Sequence, residues 1–274
     1  MIKIATDSSA NITQKEAVEL GITVIPLGII FGSAVYEDGI DITTEEFYKK
    51  LTSENEFPHT SQPTREAIEN LYKTVKESGD TLIFMPISDK LSATYESAVS
   101  VKETGGYDNV YVYNTLCTTV MLRILVLEAV KFSNKTPNEI LEHLNGVRSR
   151  LTLYAAIDTL EYLKKGGRLK AGAATVGTLL NIKPIVTVNG EGEVEIAGKQ
   201  IGFKKALNFI LEKIKSMPID ENYPIYFIYS MAEKNCDALI RLSGTSGEKY
   251  NISAVIGAHI GAGAAGIAYV RKTV

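Results

Sequence analysis

Residues 81–132, TLIFMPISDKLSATYESAVSVKETGGYDNVYVYNTLCTTVMLRILVLEAVKF, decide the class of fold. Thr81 to Ile87 is a short apolar run with the pattern of a buried strand. A polar loop follows, then a helix from about Thr94. Val110 to Tyr113 reads as the next strand. Thr118 to Phe132 reads as the next helix, with Met121, Leu122, Leu125, Val126, Ala129 and Val130 on one face. Outward toward the N-terminus the alternation continues. Lys3 to Thr6 is a strand punctuated by Asp7-Ser8-Ser9, and Thr13 to Leu20 is helical. Thr23 to Phe31 is a second β-prone run. Thr43-Thr44-Glu45-Glu46 opens a helix through Leu51, and Pro63 opens another over Thr64 to Lys76. Strand–helix alternation of this kind predicts an α/β fold whose N-terminal part is a mostly parallel sheet with helices on both faces.

The second half reads differently. Ala155 to Asp158 is strand-like, and a short helix ends at Gly166-Gly167. Lys183 to Val188 and Glu193 to Ile196 flank Asn189-Gly190, a strong hairpin signal. Phe203, Ala206, Leu207, Ile210, Leu211 and Ile214 recur at helical spacing. Ile225 to Tyr229, Ile252 to Ile256 and Gly266 to Arg271 are strand candidates. This mixture predicts an α+β domain with a mixed or antiparallel sheet. The boundary is placed in the polar stretch Asn145 to Arg150, giving domains 1–150 and 151–274.

Composition narrows the function. The 274 residues are 45% hydrophobic with a formal net charge of −3, enough for a core and without a basic stripe for nucleic acid or an anionic membrane. Cys117 and Cys236 are too few for a disulfide framework, and the opening MIKIATDSS reads as a strand, not a signal peptide. With no long apolar run, these features predict a cytoplasmic protein without a membrane span. His59, His143 and His259 show no metal-ligand spacing, and His143 reads as a surface residue. Gly261 to Gly266 matches G-x-G-x-x-G, but no helix or acidic residue follows as a dinucleotide site needs. Gly192 to Lys199 misses P-loop spacing by one residue, and no G-x-S-x-G elbow is present.

Five segments taken together resemble the DegV family of fatty-acid-binding proteins. They are Thr6-Asp7-Ser8-Ser9; Thr60-Ser61-Gln62-Pro63-Thr64; Ile87-Ser88 with Leu91 to Ala98; Tyr162 to Leu169 with Gly177, Leu179-Leu180 and Ile182 to Ile185; and Gly257 to Gly263. They occur in family order and span nearly the whole chain. The resemblance implies a long-chain fatty acid bound between two domains. It implies a carrier that is not itself an enzyme and needs no cofactor. The lipid is presented to a separate ATP-dependent fatty-acid kinase, and the acyl phosphate product feeds phospholipid synthesis.

It also implies the carboxylate site: Thr60, Ser61, Ser92, Ala93 and His259, with Arg168 facing the head group or the kinase. Hydroxyls and backbone N–H groups satisfy a carboxylate without a fixed charge. From spacing alone, Ser92 and Ser61 are equally suited to cap the helices beginning near Thr94 and Pro63, and Arg168 to complement a helix C-terminus. Departures from the family pattern are Ala93 for a common Gly, Ala262 for a common Pro, and Asn114 to Met121, where small residues and G-x-G are usual. A Ser-dependent lipid hydrolase using Ser92 and His259, and a lipid-sensing module without a kinase, are the alternatives.

Overall fold

The computed structural model describes residues 1–53, 56–169 and 181–273. In chain order the elements are β1 (Ile2–Asp7), a turn of 3-10 helix at Ser8–Ala10, α1 (Gln14–Leu20), β2 (Thr23–Ile25), β3 (Gly28–Phe31), β4 (Ala34–Glu37), α2 (Thr44–Ser53), β5 (His59–Ser61), α3 (Arg65–Ser78), β6 (Thr81–Met85), α4 (Thr94–Gly105), β7 (Val110–Val112), α5 (Thr119–Lys131) and α6 (Pro137–Arg148). Then come β8 (Leu151–Ala156), α7 (Glu161–Lys165), β9 (Ile182–Val188), β10 (Val194–Ile201), α8 (Phe203–Ser216), β11 (Tyr226–Tyr229), α9 (Glu233–Ser243), β12 (Glu248–Asn251), α10 (Ala254–Ile260) and β13 (Ala265–Val270). Gly177, Leu179 and Leu180 lie outside the described residues.

Three sheets form. The first is a parallel sheet in the order β2-β1-β6-β7. Its strands alternate by residue between two cores, as the pleat requires. Ile4, Val24, Ile83 and Met85 face the core that holds α1 and α5. Ala5, Ile25, Leu82, Phe84 and Val110 face the core of α3 and α4. The second sheet runs β10-β9-β8-β13-β11-β12, antiparallel except for the β11–β12 pair. One of its faces carries α8 and α9. The other shares the α5 core, through Leu151, Leu153, Val186, Ile228 and Ala268. A small antiparallel sheet, β4-β3-β5, is the third.

The fold class is therefore as expected: a parallel α/β sheet in the first half and a mixed sheet in the second. Four local readings change. The run Thr23 to Phe31 breaks at Pro26-Leu27 into β2 and β3, which belong to different sheets, since Pro26 has no N–H to continue a ladder. Ile252 to Ile256 is not a strand: β12 ends at Asn251 and α10 begins at Ala254. A short buried apolar run has no periodicity to separate the two states. The true strand, Glu248 to Asn251, is a polar sheet edge without an apolar signal. His143 is not a plain surface residue: it stacks on Phe132 with ring centroids 3.9 Å apart and meets the buried Glu128 at 3.0 Å.

The divergent segment 114–121 leads into α5, most of which is buried. Arg123 on this helix is 6% exposed; it donates to Asn11 O at 3.0 Å, pairs with Glu16 at 2.8 Å and lies 4.4 Å from the Tyr250 ring centroid. Because Glu16 keeps contact with water and Arg123 does not, the two halves of the pair are unequal. Glu16→Ala is expected to lower unfolding free energy by about 3 kcal/mol, more than Arg123→Leu does, since it leaves a charge buried without its partner. Urea unfolding of both variants measures the difference.

Candidate functional site

Strand order reverses between β1 and β6, because β2 lies on one side of β1 and β7 beyond β6. In open α/β sheets ligands bind at the carboxyl ends of the strands at such a reversal. Here the β1 and β6 ends are tied by Asp7. Its carboxylate accepts the Ile87 N–H at 2.8 Å and the Ser9 N–H at 3.0 Å, and also the Ser9 hydroxyl. Burial pushes this carboxyl up to about 6, against the lowering effect of those hydrogen bonds. Beyond Ile87, Ser88 fixes the loop. Its N–H donates to Cys117 O, its hydroxyl to Gly192 O, and its carbonyl accepts from Leu91 and Ser92.

This loop forms one wall of a cavity of about 320 Å³, within the range of small-molecule pockets. The cavity has an apolar body and a polar end. The body is lined by Leu153 and Ala155 of β8, Val186 and Val188 of β9, Ile228 of β11, and a stripe of α10. The polar end gathers Thr60, Ser61, Gln62, Ser92, Ala93, Arg168 and His259. Every candidate residue named from the sequence lines this one cavity. Val186, Val188, Ile228, Val255, Ile256, Thr118 and Thr119 line it too and were not named. Alternation along β9 is the signal that marks the first two.

His259 sits in the last turn of α10, just before a glycine turn. The turn follows, with Gly261 at φ 72° and Gly263 at φ 93°, conformations that favour glycine. It joins a helix to a strand, the reverse of a dinucleotide site. His259 Nε2 lies 2.8 Å from Thr60 Oγ1, and Nδ1 has no partner among the described residues. Burial, then the nearby Arg168 guanidinium and His59, hold the imidazole down at about 4, so it is neutral at pH 7. Gly166 makes room for it: a Cβ there would lie 3.0 Å from His259 Cε1 and closer still to Nδ1. Arg168 bridges two segments, donating from Nε to Leu91 O at 3.1 Å and from Nη1 to Gly166 O. It serves the end of α7 and the cavity together.

The capping readings separate. The α3 cap is Thr64, whose Oγ1 accepts the Ala67 N–H at 3.1 Å, and Pro63 lies outside the helix. Ser61 is thus not a cap. It is an exposed residue of β5 at the cavity mouth, as are Gln62 and Ala93 near it. Ser92 does contribute at the start of α4. Its Oγ lies 2.8 Å from Thr94 Oγ1 and accepts the Thr94 N–H at 3.4 Å, while Ala93 holds the N-cap position without a side-chain bond. Ser92 and His259 have different partners, and no carboxylate orients His259 among the described residues. A serine nucleophile needs both contacts.

The site is thus an α/β fold enclosing an apolar cavity that ends in hydroxyls and a neutral histidine. Comparison with known proteins makes this specific. A family model described as "Uncharacterised protein, DegV family" matches residues 1–272. A DegV domain-containing protein of Clostridium acetobutylicum is 32% identical over 280 residues, covering 99% of both chains. The chain belongs to the DegV family. A fatty-acid-binding DegV family protein from Thermus thermophilus superposes with TM-score 0.88 at 32% identity, over 98% of this chain and 99% of that one. A fatty-acid-binding DegV family protein from Streptococcus agalactiae gives 0.89 at 26% identity, over 100% and 99%. DegV from Bacillus subtilis, described as a fatty-acid-binding protein, gives 0.85 at 29% identity over 99% of each chain. No helix among the described residues is long and apolar enough to cross a membrane.

Two outcomes follow from the histidine. The folded-state value of His259 lies below the ordinary 6.5, so its neutral form contributes stability above that value. This contribution is lost as pH falls from about 6.5 toward 4, by up to roughly 3 kcal/mol. Asp7 and Asp38, raised to about 6 and about 7, change stability in the opposite sense. The test is therefore the difference between ligand-free wild type and His259→Gln, which should shrink between pH 7 and pH 4. In the second, Gly166→Ala is expected to displace the imidazole and weaken ligand binding about tenfold or more while the protein still unfolds cooperatively, as titration calorimetry and thermal melts would report.

Proposed function

We propose that this protein binds a long-chain fatty acid, with its carboxylate among Thr60, Ser61, Ser92, Ala93 and His259 and its chain along the apolar body of the cavity. The observation that carries this reading is the cavity itself: an apolar interior that closes, at one end, on hydroxyls and a neutral imidazole. Each methylene taken from water contributes about 0.8 kcal/mol, so a long chain supplies ample binding energy. The head costs free energy unless hydrogen-bonded. Hydroxyls and a neutral imidazole supply those bonds, and Arg168 adds the positive charge. The solved relatives described as fatty-acid-binding support the same reading.

In this reading residues 1–150 and 151–274 are two domains with the lipid between them. The protein is a cytoplasmic carrier that presents the lipid to a separate ATP-dependent kinase. The exposed mouth at Ser61, Gln62 and Ala93 is where the carboxylate would meet ATP. Arg168 is placed to steady an acyl phosphate, since a guanidinium matches phosphate geometry. The acyl phosphate then enters phospholipid synthesis.

The first test is denaturing extraction of the purified protein with mass spectrometry of what is released. A long-chain fatty acid near one per chain is expected. Ser92→Ala and Thr60→Val are each expected to weaken its rebinding about tenfold to a hundredfold, the range for a hydrogen bond to a charged group. Absence of lipid both on extraction and on titration would defeat the assignment. For the kinase step, transfer of labelled phosphate from ATP to the bound lipid is measured with fatty-acid kinase subunits added. Failure with all of them removes that step and leaves a lipid-binding module.

A further inference from the structure

The cavity wall holds a hydroxyl that a carboxylate at the His259 end does not use. Thr118 is 7% exposed, lines the cavity, and has no hydrogen-bond partner for Oγ1 among the described residues. It occupies the N-cap position of α5 without making the cap bond. The first-turn N–H groups of this 13-residue helix therefore begin beside it with no side-chain acceptor from the cap. The backbone on either side is strained: Leu116 has φ 52° and Thr119 has φ 47°. A β-branched residue rarely adopts that conformation, and such strain gathers where a ligand is held.

The chain connections give this hydroxyl its place along the cavity. Thr119 also lines the wall, and its Oγ1 donates to Asn11 Oδ1 at 3.3 Å. The same Asn11 oxygen accepts the Ser253 N–H at 2.9 Å, just before α10 starts. His259 is in the last turn of that helix, about 9 Å further along its axis at 1.5 Å per residue. Val255 and Ile256 lie between the two ends and, with Ile252 and Ile260, line the cavity. Thr118 thus adjoins a residue tied to the start of α10, while His259 stands near the other end of that helix.

We infer that Thr118 and the N-terminus of α5 form a second polar subsite, which takes a hydroxyl carried in the middle of a long acyl chain. The inference rests on the fatty-acid reading and names its substrate class: hydroxy fatty acids. A ligand hydroxyl either accepts from the Thr118 hydroxyl, or accepts from a first-turn N–H and donates its own proton to Thr118 Oγ1. A second carboxylate is disfavoured, because the cation on this part of α5, Arg123, is already engaged by Glu16 and Asn11.

The experiment is competition binding of stearate against monohydroxystearates whose hydroxyl is moved carbon by carbon along the chain. Mid-chain isomers are expected to bind about tenfold more tightly than stearate, and isomers hydroxylated elsewhere more weakly. Thr118→Ser should keep that order. Thr118→Val, which keeps the shape and removes the hydroxyl, should reverse it. If stearate outcompetes every isomer, or the order survives Thr118→Val, the subsite is wrong and the fatty-acid reading stands. If neither stearate nor any isomer binds, both readings fall together.

Discussion

A helix that is apolar on every side has to be covered on every side, and α5 is such a helix. From Thr119 to Ala129 nearly every residue is buried. Its core reaches the parallel sheet through Ile4, Ile83 and Met85, and the mixed sheet through Leu153, Val186 and Ala268. The two sheets are thus tied through one element. Whatever lies at the N-terminal end of α5 lies in the seam between them, and Thr118 and Thr119 there line the cavity. Arg123 is a charge buried within this helix, and it is tolerated because Glu16, a backbone carbonyl and a tyrosine face all meet it.

The polar end of the cavity is assembled from segments remote in the chain. Thr60 and His259 are 199 residues apart, and Arg168 joins the loop after β6 to the end of α7. The geometry of these groups is imposed by their supports. Asp7 fixes the start of the β6 loop, Ser88 its middle, and Gly166 leaves the space that His259 needs. A neutral histidine and a half-buried guanidinium then give the site hydrogen-bond donors with limited charge, a compromise between holding an anion and releasing it.

Much of this was legible in the sequence, and the legible part has a common physical character. Strands buried on both faces, such as Thr81 to Met85, announce themselves by uninterrupted apolarity. Helices with a capping residue, such as the one begun by Thr13, announce where they start. The candidate residues Thr60, Ser92 and His259 were marked by resemblance to a family, since spacing alone left Ser92 and Ser61 as caps. What could not be read falls where local and tertiary signals diverge. Ile252 to Ile256 is as apolar as a strand but is the entry to α10. Glu248 to Asn251 pairs at an edge with no apolar face of its own. Thr118 shows nothing unusual in sequence, and only the fold reveals that its hydroxyl has no partner among the described residues.

The position of β13 carries a consequence for synthesis. It is the last of the described strands, yet it lies in the interior of the mixed sheet, between β8 and β11. Until it inserts, those two strands have exposed edges facing an empty lane, and Ile228 and Leu153, which line the cavity from opposite sides of that lane, have nothing to hold them in register. A chain still emerging from the ribosome can complete the parallel sheet but not the cavity. The cavity walls supplied by β8 and β11 are therefore set only once β13 has been delivered, and until then a nascent chain offers unpaired strand edges that neighbouring chains can capture.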